Sequence, residues 1–245
     1  MSEAMDTPTM ADELLVMDDG ASSIEPGHSL VGGMAHPDLS LTPAHHPHAP
    51  RSEQLRALRT ELMMRRDHTG TERAEVVTLL SSGCGEGRSQ MAAELAITFA
   101  QLGRPTLLLD ADMRHPRQHL LFGMDNHHGL SQMLASGRPP RLYPVSGMPH
   151  LMLHTAGAPP SNPVELLSGP AFEQALRRYR QDYDFIVIDT PPLDTYADAL
   201  AVINLARRGL VLTRAQHTRY QDTKQMLRRL AATRAQILGS VINHF

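Results

Sequence analysis

The run Ser81-Ser82-Gly83-Cys84-Gly85-Glu86-Gly87-Arg88-Ser89 has the composition of an anion cradle. It follows a short apolar stretch, Val76-Val77-Thr78-Leu79-Leu80, and precedes a segment lined by Met91, Leu95, Ile97 and Phe99. A strand, a glycine-rich turn and a helix N-terminus in that order aim main-chain N–H groups and the positive end of the helix dipole at one place. Gly83, Gly85 and Gly87 supply the close approach and positive φ values that such a turn needs. Ser89 opens the helix where a hydroxyl would ligate Mg²⁺. Glu86, Arg88 and Gln90 complete the candidate nucleotide-binding loop.

Three carboxylates answer the loop. Asp110 and Asp112 follow Leu107-Leu108-Leu109, and Asp189 closes Phe185-Ile186-Val187-Ile188. Short, fully apolar runs are read as strands buried on both faces. In an open α/β sheet, ligands bind at the carboxyl ends of the strands, so the three acids are expected beside the loop. A Mg²⁺ that bridges nucleotide phosphates takes one or two carboxylates, a hydroxyl and waters. The constellation predicts a site for ATP and Mg²⁺.

The elements that must position these residues follow from periodicity. Leu55, Leu58, Leu62 and Met63 predict a helix over 53–66 with Ser52 as its N-cap. Strands are expected at 76–80, 106–109, 185–188, 210–213 and 237–242, and helices at 89–102, 171–180 and 218–233. Between 117 and 160 the chain is rich in Gly, Pro and His, and only a short helix near 129–135 and a strand at 151–154 suggest themselves. Apolar strands alternating with amphipathic helices imply an α/β fold with a doubly wound, mostly parallel sheet over 51–245.

Residues 1–50 contain eight acids, six prolines and five histidines but no Lys or Arg, and are read as a disordered acidic, His/Pro-rich tail. All 23 basic residues therefore fall in the remaining 195, against 18 acids. That mild excess suits an acidic partner or an anionic membrane surface and is too small to suggest nucleic acid. The cluster His45-His46-Pro47-His48 is read as solvated linker in preference to a metal site. A single cysteine excludes a disulfide framework within the chain and fits a reducing cytoplasm. No signal-peptide pattern or bilayer-spanning apolar run is found, so a cytoplasmic location is expected.

The loop, the segment Leu107 to Arg114 and the run Phe185 to Pro192 resemble the Walker A, A′ and B motifs of bacterial tyrosine kinases of the CpsD/CapB type. Glu53-Gln-Leu-Arg56-Ala-Leu-Arg59 resembles that family's ExxRxxR oligomerisation helix, and Pro160-Ser-Asn-Pro163-Val-Glu165-Leu-Leu its PNPxELL segment. Gly-Glu-Gly-Arg-Ser, Arg-Gln-His-Leu-Leu-Phe-Gly and Gly-Ser-Val-Ile-Asn-His-Phe are closest to the subgroup called chain-length determinant protein tyrosine kinases of exopolysaccharide biosynthesis. The resemblance implies a MinD-like P-loop NTPase fold of the SIMIBI class with a deviant Walker A. It implies a kinase regulating exopolysaccharide or capsule polymerisation and export. Asp110 would activate the attacking hydroxyl, while Ser89, Asp112 and Asp189 would hold Mg²⁺. Arg88 would act on the phosphates, and Asn243 would contact the base. Glu53, Arg56 and Arg59 would support a homo-oligomer. The implied partner is a transmembrane polysaccharide co-polymerase, which would bring the chain to the inner face of the plasma membrane.

Three departures qualify the resemblance. Arg88 replaces the usual lysine, and a planar, forked guanidinium is not equivalent to a compact ammonium at a phosphate. Cys84 replaces a proline and is read as a small apolar residue rather than a reactive thiol. The family's C-terminal tyrosine cluster has no counterpart, since Tyr143, Tyr179, Tyr183, Tyr196 and Tyr220 are scattered. Two alternatives stay open: a catalytically weak, ATP-sensing subunit of the co-polymerase, and a ParA/MinD-type positioning ATPase. The second lacks its signature lysine, because Gly83 stands in that place.

Overall fold

The structure is a computed structural model that describes residues 29–30, 33–65 and 74–244. Its first elements are β1 (Ser29–Leu30), α1 (Thr42–His45), α2 (Pro50–Met64), β2 (Glu75–Ser81), α3 (Arg88–Ala100) and β3 (Thr106–Asp110). Next come α4 (Gln118–Leu121), α5 (Leu130–Ser136), β4 (Arg141–Val145), β5 (Met148–His154), α6 (Pro163–Ser168) and α7 (Pro170–Asp182). The chain continues through β6 (Phe185–Asp189), α8 (Asp198–Ala206), β7 (Arg208–Arg214), α9 (Tyr220–Ala231) and β8 (Gln236–Asn243).

The strands form one sheet in the order β1-β4-β5-β3-β6-β2-β7-β8. Every pairing is parallel except β4 with β5. Successive side chains of a strand point to opposite faces, and the core divides accordingly. Val77, Leu79, Leu108 and Val187 meet Leu55 and Leu62 of α2 and Met91, Ile97 and Phe99 of α3 on one face. Val76, Leu107, Leu109, Ile186 and Ile188 meet Leu130, Phe172, Leu176, Tyr179 and Val202 on the other. Phe99 also stacks on Phe185 with ring centroids 4.4 Å apart. The expected doubly wound, mostly parallel sheet is therefore the observed one.

The expected tail boundary at residue 50 needs correction. Residues 1–28 and 31–32 lie outside the described residues, but 33–49 pack on the domain. Ala35 and Leu41 are fully buried in the α2/α3 core cluster, and Ala35 N–H donates to the Pro144 carbonyl at 2.9 Å. Gln101 Nε2 donates to the Pro43 carbonyl at 2.9 Å. Within the histidine cluster, His45 Nε2 lies 3.1 Å from the carbonyls of Pro37 and Asp38. The second correction concerns Ser52, expected as an N-cap. Pro50 opens α2 with Ala49 at the cap, as suits proline's fixed φ and missing donor. Ser52 lies inside the helix, and its hydroxyl donates to the His46 carbonyl at 2.7 Å.

The helix α2 is fastened to α3 by ions as well as by leucines. Arg51 forms a forked contact with the fully buried Glu94 at 2.6–2.9 Å, and Arg59 Nη1 donates to the Thr98 carbonyl at 2.7 Å. Among the expected oligomerisation residues, Arg59 is thus spent inside the chain, while Glu53 and Arg56 pair with each other at the surface. Arginines near the C-terminus are also drawn into contacts within the chain. Arg208 bonds Glu75 at 2.9 Å, Arg214 the Gly85 carbonyl at 3.0 Å and Arg229 the Leu193 carbonyl. Among the described residues no helix is long and apolar enough to cross a membrane.

Candidate nucleotide site

The parallel register fixes the floor of the site. β3 and β6 pair so that Asp110 faces Asp189 across the sheet, which brings two carboxylates from distant sequence to adjacent strand ends. The loop after β2 turns above them. Gly85 and Gly87 adopt φ of +73° and +86°, a left-handed conformation that costs a glycine little, and Gly87 caps α3. A cavity of about 380 Å³ lies over the loop, lined by residues 84–90 together with Asp112, His115, Arg117 and Arg214.

Arg88, only 8 % exposed, turns down from the start of α3 into the acids. Its Nη2 lies 3.4 Å from Asp112 Oδ2 and its Nε 3.3 Å from Asp189 Oδ1, and its Nη1 donates to the Ser81 hydroxyl. Asp112 Oδ1 accepts the main-chain N–H groups of Arg114 and His115 at 3.2 and 2.9 Å. Asp110 lies beneath the cavity. Both of its oxygens accept main-chain N–H groups, from Asp112 and Gln118, at 3.1 Å. Burial, reinforced by the charges of Asp189 and Asp112, holds the Asp110 carboxyl well above the usual carboxylate range. Burial also raises Asp189, against the opposing pull of Arg88 and of hydrogen bonds from Gln118 and Ser89.

Asp112, Asp189 and Ser89 are thus brought together with Arg88. Other expected residues support the loop from behind. Glu86 Oε1 accepts the hydroxyls of Ser82 and Thr218 at 2.9 and 2.7 Å. Asn243 Nδ2 donates to the Glu86 carbonyl at 3.2 Å, so Asn243, expected at the base, is buried against the loop. Gln90 Nε2 donates to the Ser40 carbonyl at 3.2 Å, tying the loop helix to the N-terminal segment. Cys84 is exposed, which does not fit its reading as a packing residue.

Sequence reasoning missed Gln118. This fully buried residue donates from Nε2 to Ser89 O at 2.9 Å and to Asp189 Oδ2 at 2.8 Å, so one amide links the loop helix to the β6 carboxylate. Its Oε1 is buried without a hydrogen-bond partner. His115, Arg117 and Arg214 at the cavity wall were also missed. Arg117 and Gln118 stand in the run Arg-Gln-His-Leu-Leu-Phe-Gly that carries the subgroup resemblance, which gives them no stated role.

The donor set fits Mg²⁺ with a nucleotide. Hard carboxylate and hydroxyl oxygens suit that ion, the orphaned Gln118 Oε1 would be free to accept from a water bound to the ion, and the loop has the form of a phosphate cradle.

The family model described as ParA, NUBPL iron-transfer P-loop NTPase, matches residues 72–244. The chain is 33 % identical over 199 residues to tyrosine-protein kinase YwqD of Bacillus subtilis (strain 168), covering 80 % of this chain and 82 % of that one. The kinase domain of Escherichia coli tyrosine kinase ETK superposes with a TM-score of 0.77 at 27 % identity, over 83 % of this chain and 79 % of that one. The Pyrococcus furiosus cell division ATPase MinD, at 22 % identity and a TM-score of 0.60 over 69 % of this chain and 72 % of that one, shares the fold. The site built from loop, paired strand ends and buried arginine is thus set in a ParA-type P-loop NTPase domain, and the chain belongs to the bacterial tyrosine-protein kinases.

Proposed function

We propose that this chain is a Mg-ATP-dependent protein-tyrosine kinase that regulates exopolysaccharide or capsule polymerisation and export. The observation that carries the proposal is the meeting of Asp112 and Asp189 with Arg88 and Ser89 at the mouth of the loop. Main-chain N–H groups over 83–90 hold the phosphates, and Ser89, Asp112 and Asp189 hold Mg²⁺. The ion supplies neutralisation of the phosphate charge during transfer. The Arg88 guanidinium, released from the carboxylates, forks onto the phosphoryl oxygens and stabilises charge there, as arginines do in other phosphoryl-transfer sites. Asp110, with its raised proton affinity, takes the proton of the attacking hydroxyl. Glu53 and Arg56 serve contacts between copies, and the partner at the inner membrane face is a membrane-spanning co-polymerase, as the subgroup resemblance implies.

The test is phosphotyrosine formation on the chain or its co-polymerase in Mg-ATP, alongside calorimetric ATP binding. Wild type should bind ATP and transfer phosphate, and Asp112→Ala should not transfer it. Absence of ATP binding at millimolar nucleotide overturns the proposal. Equal turnover by wild type and Asp112→Ala would instead favour a nucleotide sensor.

A further inference from the structure

The five tyrosines fall into two groups. Tyr143, Tyr179 and Tyr183 are 1 %, 1 % and 4 % exposed, and burial raises each phenol above its ordinary range. They serve the core and are closed to an incoming phosphoryl group. Tyr196 and Tyr220 remain.

Tyr220 opens α9 and is 73 % exposed. It lines a groove between α9 and β8 that shares Arg214 with the phosphate cavity and lies across β2 from the β3 and β6 strand ends that carry the acids. Tyr196 lies in the loop between Asp189 and α8, on the side of those acids. Its ring is 4.6 Å from the Arg114 guanidinium and 6.1 Å from the His115 ring. Arg114 is itself held by Asp198, which is 1 % exposed, through contacts of 3.2 and 3.3 Å. The main chain of the same two residues, Arg114 and His115, bonds the Asp112 carboxylate, and His115 lines the phosphate cavity. One turn therefore grips both a metal-site acid and the tyrosine ring. Among the described residues, the Tyr196 hydroxyl has no hydrogen-bond partner.

We propose that Tyr196 is the phosphoryl acceptor of this chain, a modification site beside His115 of the phosphate cavity wall. The inference rests on the kinase reading above and names its substrate residue. In the step, the phenolic oxygen attacks the γ-phosphorus of ATP and the bond from that phosphorus to the β,γ-bridging oxygen breaks. ADP leaves and the phenolic proton passes to the Asp110 carboxylate. The product places a phosphate of nearly two negative charges beside Arg114, a partner for charge-assisted hydrogen bonds.

The experiment incubates the purified full chain with Mg-ATP and maps phosphotyrosine by mass spectrometry in wild type, Tyr196→Phe and Tyr220→Phe. ATP binding and phosphorylation of an added tyrosine peptide are measured in parallel. Phenylalanine keeps the ring against Arg114 and His115, so ATP affinity should be unchanged. The expected result is phosphate on Tyr196, lost in Tyr196→Phe and retained in Tyr220→Phe. Phosphate on another tyrosine of wild type, or only on the added peptide, overturns the inference and leaves the kinase reading standing. ATP binding without transfer to any tyrosine overturns both.

Discussion

The phosphate floor and the N-terminal segment over 33–65 are held by opposite means. At the floor the apolar strands end in a knot of Asp110, Asp112, Asp189, Arg88 and Gln118, each bonded to another of the group. In the N-terminal segment, buried Ala35 and Leu41 and the leucines of α2 do most of the work, assisted by Arg51 and Glu94. Changes at the floor should therefore alter chemistry and ion response, whereas changes at the buried apolar residues of the N-terminal segment should alter stability alone.

The sharpest break in that contrast is Arg88→Met. Removing one preorganised charge from a phosphoryl-transfer site costs on the order of 10²-fold in turnover, and phosphotransfer assays under saturating ATP should read a loss of that size. Leu41→Ala is the counterpart. A fully buried leucine truncated to alanine costs about 3 kcal/mol, so denaturant unfolding should show that loss while calorimetric ATP affinity stays at the wild-type value.

Gln118→Leu sharpens the contrast within the floor. Removing a group that orients a metal ligand weakens metal binding by about tenfold or more. Titration of the nucleotide complex with Mn²⁺, followed by paramagnetic resonance, should show that weakening while nucleotide affinity without metal changes little.

The smallest effect is one of pH. Burial raises the carboxyls of Asp110 and Asp189 in the fold. A raised folded-state value gives stability that is complete below the ordinary carboxylate range and is lost as pH rises through the raised value. Asp110→Asn should therefore gain on metal-free wild type from about pH 4 upward. Thermal unfolding across pH should read the gap, and Mg²⁺ should narrow it.

These two regions also differ in how far they can be read from residue order. The loop and the acids were legible because phosphate binding requires glycines, a helix start and strand-terminal carboxylates within short stretches. The expected strands β2, β3, β6, β7 and β8 fall where the apolar runs placed them. Gln118 stands in a quoted run, but its role was not legible, because it depends on a turn that brings the residue back to Asp110 and across to Asp189. Residues 33–49 were misread because their few apolar side chains show no period and find their partners far along the chain, as Ser40 does at Gln90 and Pro43 at Gln101. The strand β4 was missed behind Pro144. A proline lacks the donor a central strand needs, but Pro144 lies where its carbonyl receives Ala35 N–H.

The inward turn of Arg88 has one more consequence. Lying between Asp112 and Asp189, its guanidinium is an internal counter-ion to their carboxylates. A metal ion that displaced it would exchange one positive charge for another rather than fill an electrostatic hole. Affinity would then be a difference between two occupancies, and the guanidinium would be a competitor that never leaves the protein.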